Sequence, residues 1–167
     1  MKLLASLSLA CLLGILSGCD QADRLSSEAV AVGKRVPTFS LRSVDGSTVT
    51  SESLEGSPVI LNFWATWCGP CMGEIPDLKQ VADTSAARVI GIALDEGGAK
   101  AVKAFVERNG IKYTVLLGNQ DLFQHFDGYA IPYTLVVDRS RKIVRIYRGP
   151  TTKESLMQDL AAMNRGA

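Results

Sequence analysis

Apolar residues are grouped along this chain in a pattern that predicts alternating strands and helices. VILNFW, which follows Pro58, is a nearly continuous apolar run, and RVIGIAL at 88–94 is another. Runs of this kind are typical of strands that are buried on both faces of a sheet. The segment between them predicts a helix with Pro70 in its first turn, where a missing N–H costs little, and with a kink at Pro76.

The other segments complete the order of elements. Asp45-Gly46, flanked by β-prone residues, predicts a hairpin near the start of the domain. The remaining predicted elements are the helix AKAVKAFVERNG ending at Asn109-Gly110, a short strand at 113–117, a short helix at 121–126, a hairpin of 133–138 with 142–147, and the helix TTKESLMQDLAAM, in which Thr151 and Glu154 have capping-box spacing. Strands that alternate with helices predict a parallel centre, and the late hairpin adds an antiparallel edge. The predicted fold class is α/β: a central mixed sheet flanked by helices, with an added N-terminal β-hairpin.

The N-terminal segment has the layout of a secretory signal peptide, which predicts an extracytoplasmic protein. A lysine at position 2 precedes an apolar run from Leu3 to Leu16 and then small residues. The run is shorter than the roughly 20 residues that a transmembrane helix needs, so a plain membrane span is the weaker interpretation.

The end of that run, Leu16-Ser17-Gly18-Cys19, resembles the lipobox of bacterial lipoproteins. If the resemblance holds, Cys19 is the mature N-terminus and its acyl chains anchor the protein to the membrane, on the periplasmic side of the inner membrane in a Gram-negative cell. The alternative is an ordinary cleavable signal that ends near a cysteine. The predicted organisation is a signal peptide at 1–18, a lipid-anchored flexible tether at 19–34, and one domain at 35–165.

The charge balance and the cysteine count narrow the possible partners. The chain has 18 basic and 17 acidic residues, a formal net charge of +1, which gives no basis for a nucleic-acid partner. Of the 4 cysteines, Cys11 lies in the signal segment and Cys19 is the predicted lipidation site. Cys68 and Cys71 are then the only thiols of the mature chain, in an oxidising compartment.

Cys68 and Cys71 are spaced for redox chemistry. A structural zinc site needs four ligands, and this chain offers one CxxC pair and one histidine, so no metal site is predicted. As a structural cross-link the pair would contribute little, because stabilisation grows with the length of the closed loop. At the start of a helix, by contrast, unpaired N–H groups and the helix dipole lower the pKa of a thiol. We therefore expect Cys68 to be the exchanging thiolate and the more buried Cys71 to resolve the mixed disulfide.

The motif WCGPC, preceded by ILNFWAT and followed by Pro76, resembles that of the thioredoxin superfamily. The resemblance extends from Val36 to Asn164 and is strongest to the TlpA/ResA-like membrane-tethered thiol–disulfide oxidoreductases. It implies a thioredoxin-like fold, a redox-active Cys68–Cys71 disulfide with no other cofactor, and a cis Ile131-Pro132 bond lying against the motif.

The resemblance also implies the roles of other residues. Thioredoxin has a buried aspartate in the strand before its motif, where this chain has Asn62, which does not titrate. Glu74 matches a glutamate of the ResA-like pattern, and we expect it to tune the dithiol by proton exchange; the alternative is a solvated glutamate on the helix surface. Cys68, Cys71 and Glu74 are thus the predicted catalytic residues. The predicted substrate-binding residues are Trp67, Gly69, Pro70, Ile131 and Pro132, whereas Trp64 and His125 are expected to be structural.

The resemblance implies a reductase of disulfides in exported proteins, such as apocytochrome c. A membrane thiol-electron transporter would be the electron donor. Gly-Pro between the cysteines, the dipeptide of reducing thioredoxin, favours this direction. Three alternatives stay open: a disulfide oxidase or isomerase of oxidative folding, a thiol peroxidase, and a non-enzymatic copper chaperone that binds through Cys68, Cys71 and His125. The peroxidase would need a PxxxTxxC pattern, which is not found at Thr66.

Overall fold

The computed structural model describes residues 30–84 and 86–165. The predicted signal peptide and the predicted lipidation site at Cys19 lie outside these residues and stay predictions. Within the described ranges, no helix is both long enough and apolar enough to cross a membrane.

The domain is a five-stranded mixed sheet with helices packed on it and a separate two-stranded hairpin. In chain order the elements are β1 (Ser40–Arg42), β2 (Thr48–Thr50), a 3-10 helix (Ser51–Leu54), β3 (Val59–Trp64), α1 (Gly69–Asp83), β4 (Arg88–Ala93), α2 (Gly98–Arg108), β5 (Thr114–Leu117), α3 (Gln120–His125), β6 (Tyr133–Val137), β7 (Ile143–Arg148) and α4 (Lys153–Arg165). The strand order is β5-β4-β3-β6-β7; β3, β4 and β5 are parallel, whereas β6 and β7 are antiparallel to their neighbours. β1 and β2 pair antiparallel across the Asp45-Gly46 turn. The predicted fold class is confirmed.

Both faces of the sheet are covered, which explains the continuous apolar run in β3. Successive strand side chains point to opposite faces. Leu61 and Phe63 therefore join one core with aromatic residues of α3 and β6. Ile60 points the other way and packs with residues of α1 and α4. Each fully buried side chain of this size contributes about 1.5–3 kcal/mol of transfer free energy.

Trp64, at the end of β3, is buried against α2, as expected for a core residue. Its indole ring occupies space that a side chain on the neighbouring strand would otherwise fill. A Cβ on Gly91 of β4 would lie 2.8 Å from Trp64 Nε1 and 3.3 Å from Cε2 of Tyr113. Gly91 is therefore required by packing.

Residues 30–34 precede the predicted domain boundary at residue 35, and they contact the domain. Val30 is buried in the first core. Gly33 N–H donates to the carbonyl of Ile143 at 2.7 Å, and Ile143 N–H donates to the carbonyl of Lys34 at 2.8 Å. The segment 30–34, predicted as the end of the tether, is thus held along β7 by backbone hydrogen bonds, which composition does not reveal.

The predicted N-cap of the C-terminal helix is wrong by one residue. α4 begins at Lys153, and Ser155 N–H donates to Thr152 Oγ1 at 3.3 Å, so Thr152 caps the helix. Thr151 is buried, and its N–H donates instead to a carboxylate oxygen of Glu74 at 3.1 Å. Either threonine has the chemistry of a cap, and the tertiary acceptor decides between them.

Candidate active site

Cys68 lies at the end of the loop that connects β3 to α1, and Cys71 lies in the first turn of α1. After Trp64 the chain turns, and Cys68 N–H donates to the carbonyl of Ala65 at 3.1 Å. Cys68 has extended backbone angles and is the N-cap of α1, which begins at Gly69 and has Pro70 in its first turn. The first turn of a helix has N–H groups without intrahelical partners, so the Cys68 sulfur lies at the positive end of the helix dipole.

The two cysteines form a disulfide with an S–S distance of 2.01 Å. Cys71 is fully buried, whereas 5% of Cys68 is exposed. Cys71 N–H also donates to Cys68 Sγ at 3.2 Å. Cys68 is therefore the more accessible of the two, and it has a hydrogen-bond donor that would stabilise a negative sulfur.

The predicted substrate-binding residues lie in two segments, one beside Cys68 and one just before β6. Gly69 and Pro70 are exposed at the start of α1, and 70% of Trp67 is exposed. The Ile131-Pro132 bond is cis, as the resemblance implied. Ile131 packs against the core cluster that contains both cysteines, and Pro132 is buried with its carbonyl accepting from Gly149 N–H at 2.9 Å.

Glu74 is buried beneath the disulfide region, with 2% of its surface exposed. Its Oε1 accepts from Asn62 Nδ2 at 2.6 Å, and its Oε2 accepts from Thr151 N–H at 3.1 Å. Asn62 Nδ2 also donates to Thr134 Oγ1 on β6 at 2.9 Å. The alternative of a solvated glutamate on the helix surface is wrong. The carboxyl group is instead connected to β3, β6 and the loop before α4.

Burial changes the acidity of this carboxyl group. Desolvation raises the pKa of Glu74 from the ordinary 4.5 to about 7, although the hydrogen bonds from Thr151 and Asn62 act to lower it. The negative charge of Asp77, one turn further along α1, adds a smaller upward effect. Near neutral pH this carboxyl group therefore lies close to its pKa, whereas Asn62, at the position of the thioredoxin aspartate, contributes only hydrogen bonds.

Sequence reasoning did not find the residues that support the site from elsewhere in the chain. The carboxylate of Asp95, just after β4, accepts from Thr66 N–H at 3.2 and 3.1 Å and from the Thr66 hydroxyl. This fastens the loop that carries Cys68 to the neighbouring parallel strand. A polar residue at the carboxyl end of a buried strand was the available signal. Thr134 and Thr151 had no comparable signal.

The copper-chaperone alternative requires Cys68, Cys71 and His125 to converge. His125 is exposed on α3, where its ring contacts Phe126. Among the described residues, no group of three or more histidine, cysteine, aspartate and glutamate side chains is arranged to hold a metal ion. The structure therefore does not bring this ligand set together.

The sheet order and the CxxC disulfide at the start of α1 define a thioredoxin-fold thiol–disulfide oxidoreductase. The Redoxin family profile matches residues 31–162, and the chain belongs to this family. Within the thioredoxin superfamily it is a TlpA/ResA-like member, which confirms the resemblance seen in the sequence.

Three known proteins illustrate the similarity. The chain is 30% identical over 165 residues to the "Thioredoxin-like protein YneN" of Bacillus subtilis, covering 95% of this chain and 96% of that protein. It is 33% identical over 140 residues to the "Thiol-disulfide oxidoreductase ResA" of Geobacillus thermodenitrificans, covering 81% and 79%. A crystal structure of a thioredoxin-family thiol:disulfide interchange protein from Chlorobium tepidum has a TM-score of 0.69 and 35% identity, covering 81% of this chain and 99% of that one.

Proposed function

We propose that this protein is an extracytoplasmic reductase of disulfides in exported proteins, such as apocytochrome c, held at the membrane by a lipid on Cys19. The observation that carries the proposal is the Cys68–Cys71 disulfide at the start of α1, with the buried carboxyl group of Glu74 behind it. The thiol–disulfide oxidoreductase names of the relatives support the class of reaction.

The reaction begins from the reduced dithiol. The Cys68 thiolate attacks one sulfur of the substrate disulfide, so that a Cys68–substrate disulfide forms and the other substrate sulfur leaves as a thiolate. Cys71 then attacks Cys68 Sγ, which restores the Cys68–Cys71 disulfide and releases the second substrate thiolate. Two electrons pass from the protein dithiol to the substrate, and its two thiolates take up two protons.

Glu74 has the position and the acidity of a proton acceptor for Cys71. The two residues are three apart on α1 and so lie on the same face of the helix. Cys71 must lose its proton before it attacks, and a carboxyl group with a pKa of about 7 can accept that proton near neutral pH. The proton then passes to a leaving substrate thiolate or to solvent.

The surface around Cys68 is the proposed contact area for the substrate. Trp67, Gly69 and Pro70 are exposed beside the disulfide, and Ile131 packs against the cluster that contains it. We assign these residues, together with Pro132, to substrate binding.

A second dithiol must reduce Cys68–Cys71 after each turnover, and we propose a membrane thiol-electron transporter as this donor. The lipobox-like Leu16-Ser17-Gly18-Cys19 supports a position beside such a partner.

Two measurements test the proposal. The reduction potential of the Cys68–Cys71 pair should lie toward that of thioredoxin, about −270 mV, rather than that of the oxidant DsbA, about −120 mV. A value near or above about −150 mV would instead indicate an oxidase of oxidative folding.

In the host, a Cys71→Ala variant should retain substrates as mixed disulfides on Cys68, and the Cys68→Ala/Cys71→Ala variant is the matched control. Recovery of oxidative-folding partners in place of apocytochrome would contradict the reductase assignment.

A further inference from the structure

A groove lies at one end of the sheet, and its lining includes Trp67, the residue before Cys68. It has a volume of about 1090 Å³ and runs between the loop before α1, the segment after β4 and the loop before β6. Trp67 and Ile131 line it at the end near Cys68, and Tyr129 lines it as well. This volume is at the upper limit of small-molecule pockets, about 300–1,000 Å³, so the groove has room for a segment of polypeptide.

Two aromatic side chains in this groove are unusually exposed. The exposed fraction is 70% for Trp67 and 74% for Tyr129. Among the described residues, Val32 is the one other large hydrophobic side chain that is exposed to this degree. Exposed tryptophan and tyrosine side chains that share a concave surface are typical of sites where a partner is bound.

The charge of the groove has one sign. Asp95, Glu96 and Asp121 are among its lining residues, and none of the described lining residues is a lysine or an arginine. Asp95 is engaged by Thr66, but Glu96 and Asp121 are exposed. The whole chain has nearly equal numbers of basic and acidic residues, so the negative charge is local.

Arg148 contacts an aromatic residue of the groove. The Arg148 guanidinium is 5.1 Å from the centre of the Tyr129 ring, but it also forms an ion pair of 2.8 Å with Asp127. Its charge is therefore balanced outside the groove. A field that is negative over a concave surface attracts cationic partners and repels anionic ones.

We propose that this groove selects positively charged polypeptide segments, with lysine or arginine beside the cysteines to be reduced. The aromatic side chains would contact the segment while Glu96 and Asp121 attract its basic residues. The inference rests on the proposed function and names the substrate class of the same site. The exchange reaction at Cys68 is unchanged, and the groove affects how readily the substrate disulfide is delivered to that sulfur.

The test uses the reduced protein and three synthetic peptides that contain the same intramolecular disulfide. The cysteines are flanked by lysine in one peptide, by glutamate in the second and by serine in the third. At low ionic strength we expect kcat/KM for the lysine peptide to exceed that for the glutamate peptide at least about fivefold. Because salt screens charges beyond about 3 Å at 1 M, the ratio should approach one at high salt.

A pair of variants locates the selectivity. In Glu96→Gln/Asp121→Asn, the lysine-to-glutamate ratio should fall at least about threefold. The matched control is Asp83→Asn/Glu107→Gln, which makes the same change in net charge at exposed positions outside the groove lining. The control should keep the ratio of the unmodified protein.

The outcomes separate this inference from the proposed function. If none of the peptides is reduced, the proposed reductase function is wrong. If the serine peptide is reduced but lysine and glutamate peptides react equally, the selectivity of the groove is wrong and the reductase function stands. A lysine preference that survives in Glu96→Gln/Asp121→Asn would also overturn the assignment to this groove.

Discussion

Asn62, in the central strand of the sheet, donates a hydrogen bond of 2.6 Å from its amide nitrogen to Oε1 of Glu74 on α1. The amide is neutral and donates at every pH, whereas an aspartate at this position would compete with Glu74 for protons. In thioredoxin the titrating carboxyl group lies on the strand, whereas in this chain it lies on the helix, three residues after Cys71. This exchange of roles has consequences that can be measured.

The burial of Glu74 should make the stability of the oxidised protein depend on pH. In the folded chain Glu74 keeps its proton up to about pH 7, whereas in the unfolded chain it loses the proton near its ordinary 4.5. The folded state then binds more protons between these values, so its stability falls as pH rises through this range and levels off above it. The expected decrease is on the order of 3 kcal/mol.

Urea unfolding of the oxidised protein from pH 4 to 8 measures this decrease, because disulfide-bonded cysteines do not titrate. Glu74→Gln should remove most of the dependence, since glutamine has no proton to lose. The Glu154→Gln variant, at an exposed position of α4, is the control and should keep it. A pH dependence that is equal in all three proteins would show that Glu74 is not the group responsible.

The rate of disulfide reduction should also depend on the protonation of Glu74. If Glu74 accepts the proton of Cys71, kcat should rise through a midpoint near pH 7. Glu74→Gln should lose that midpoint, and its rate should fall by about 100- to 10,000-fold. Asp77→Asn removes a charge that raises the pKa of Glu74, so the midpoint should move slightly to lower pH. Stopped-flow kinetics of the reduced protein with a disulfide peptide measures both effects. An unchanged profile in Glu74→Gln would leave Glu74 with a structural role alone.

Cys68 should be more acidic than a free cysteine. Its position as the N-cap of α1 and the N–H of Cys71 both favour the thiolate, so its pKa should lie below the ordinary cysteine value of about 8.5. Iodoacetamide alkylation of Cys71→Ser as a function of pH measures this value. The Cys68→Ser variant reports Cys71, which is fully buried and should react far more slowly. A midpoint of about 8.5 for Cys68 would contradict the proposed chemistry.

Asn62→Asp should destabilise the protein in a pH-dependent manner. Two carboxyl groups separated by 2.6 Å cannot both be ionised, because like charges at this distance repel strongly in a buried site. Near pH 5 one shared proton can bridge them, and stability should stay close to that of the unmodified protein. At pH 8 we expect a loss of about 3–5 kcal/mol. Chemical unfolding at the two pH values measures this loss. An equal loss of stability at both pH values would indicate that packing, rather than charge repulsion, is responsible.

Gly91 and Gly73 should respond in opposite directions to the same substitution. In Gly91→Ala the new Cβ meets Trp64 Nε1 at 2.8 Å, and this overpacking should cost about 1–3 kcal/mol. In Gly73→Ala, on α1, nothing lies within 4 Å, and alanine should stabilise the helix by about 0.5–1 kcal/mol. Thermal unfolding of the oxidised variants measures both. Equal effects would mean that the indole of Trp64 yields to the added methyl group.

Most of the elements and both reacting sulfurs could be predicted from the sequence. β3 was predictable because a strand with both faces covered has to be apolar throughout, as VILNFW nearly is. The roles of Cys68 and Cys71 were predictable because the thiolate chemistry depends on a local feature, the start of a helix. Pro70 indicates that start, since proline is favoured in the first turn of a helix. The capping residue of α4 was misassigned because two adjacent threonines are equally suited to that position by local chemistry.

The surroundings of those sulfurs could not be predicted, because they depend on contacts between residues far apart in the chain. Thr151 lies 77 residues from Glu74, and Thr134 lies 72 residues from Asn62, yet all four meet in one hydrogen-bonded group. Asp95 likewise reaches Thr66 across 29 residues because β3 and β4 are parallel neighbours. Burial and long-range hydrogen bonds depend on how the elements pack, and no local pattern of residues encodes a desolvated carboxyl group. That packing, rather than the residue type, brings the pKa of Glu74 to about 7.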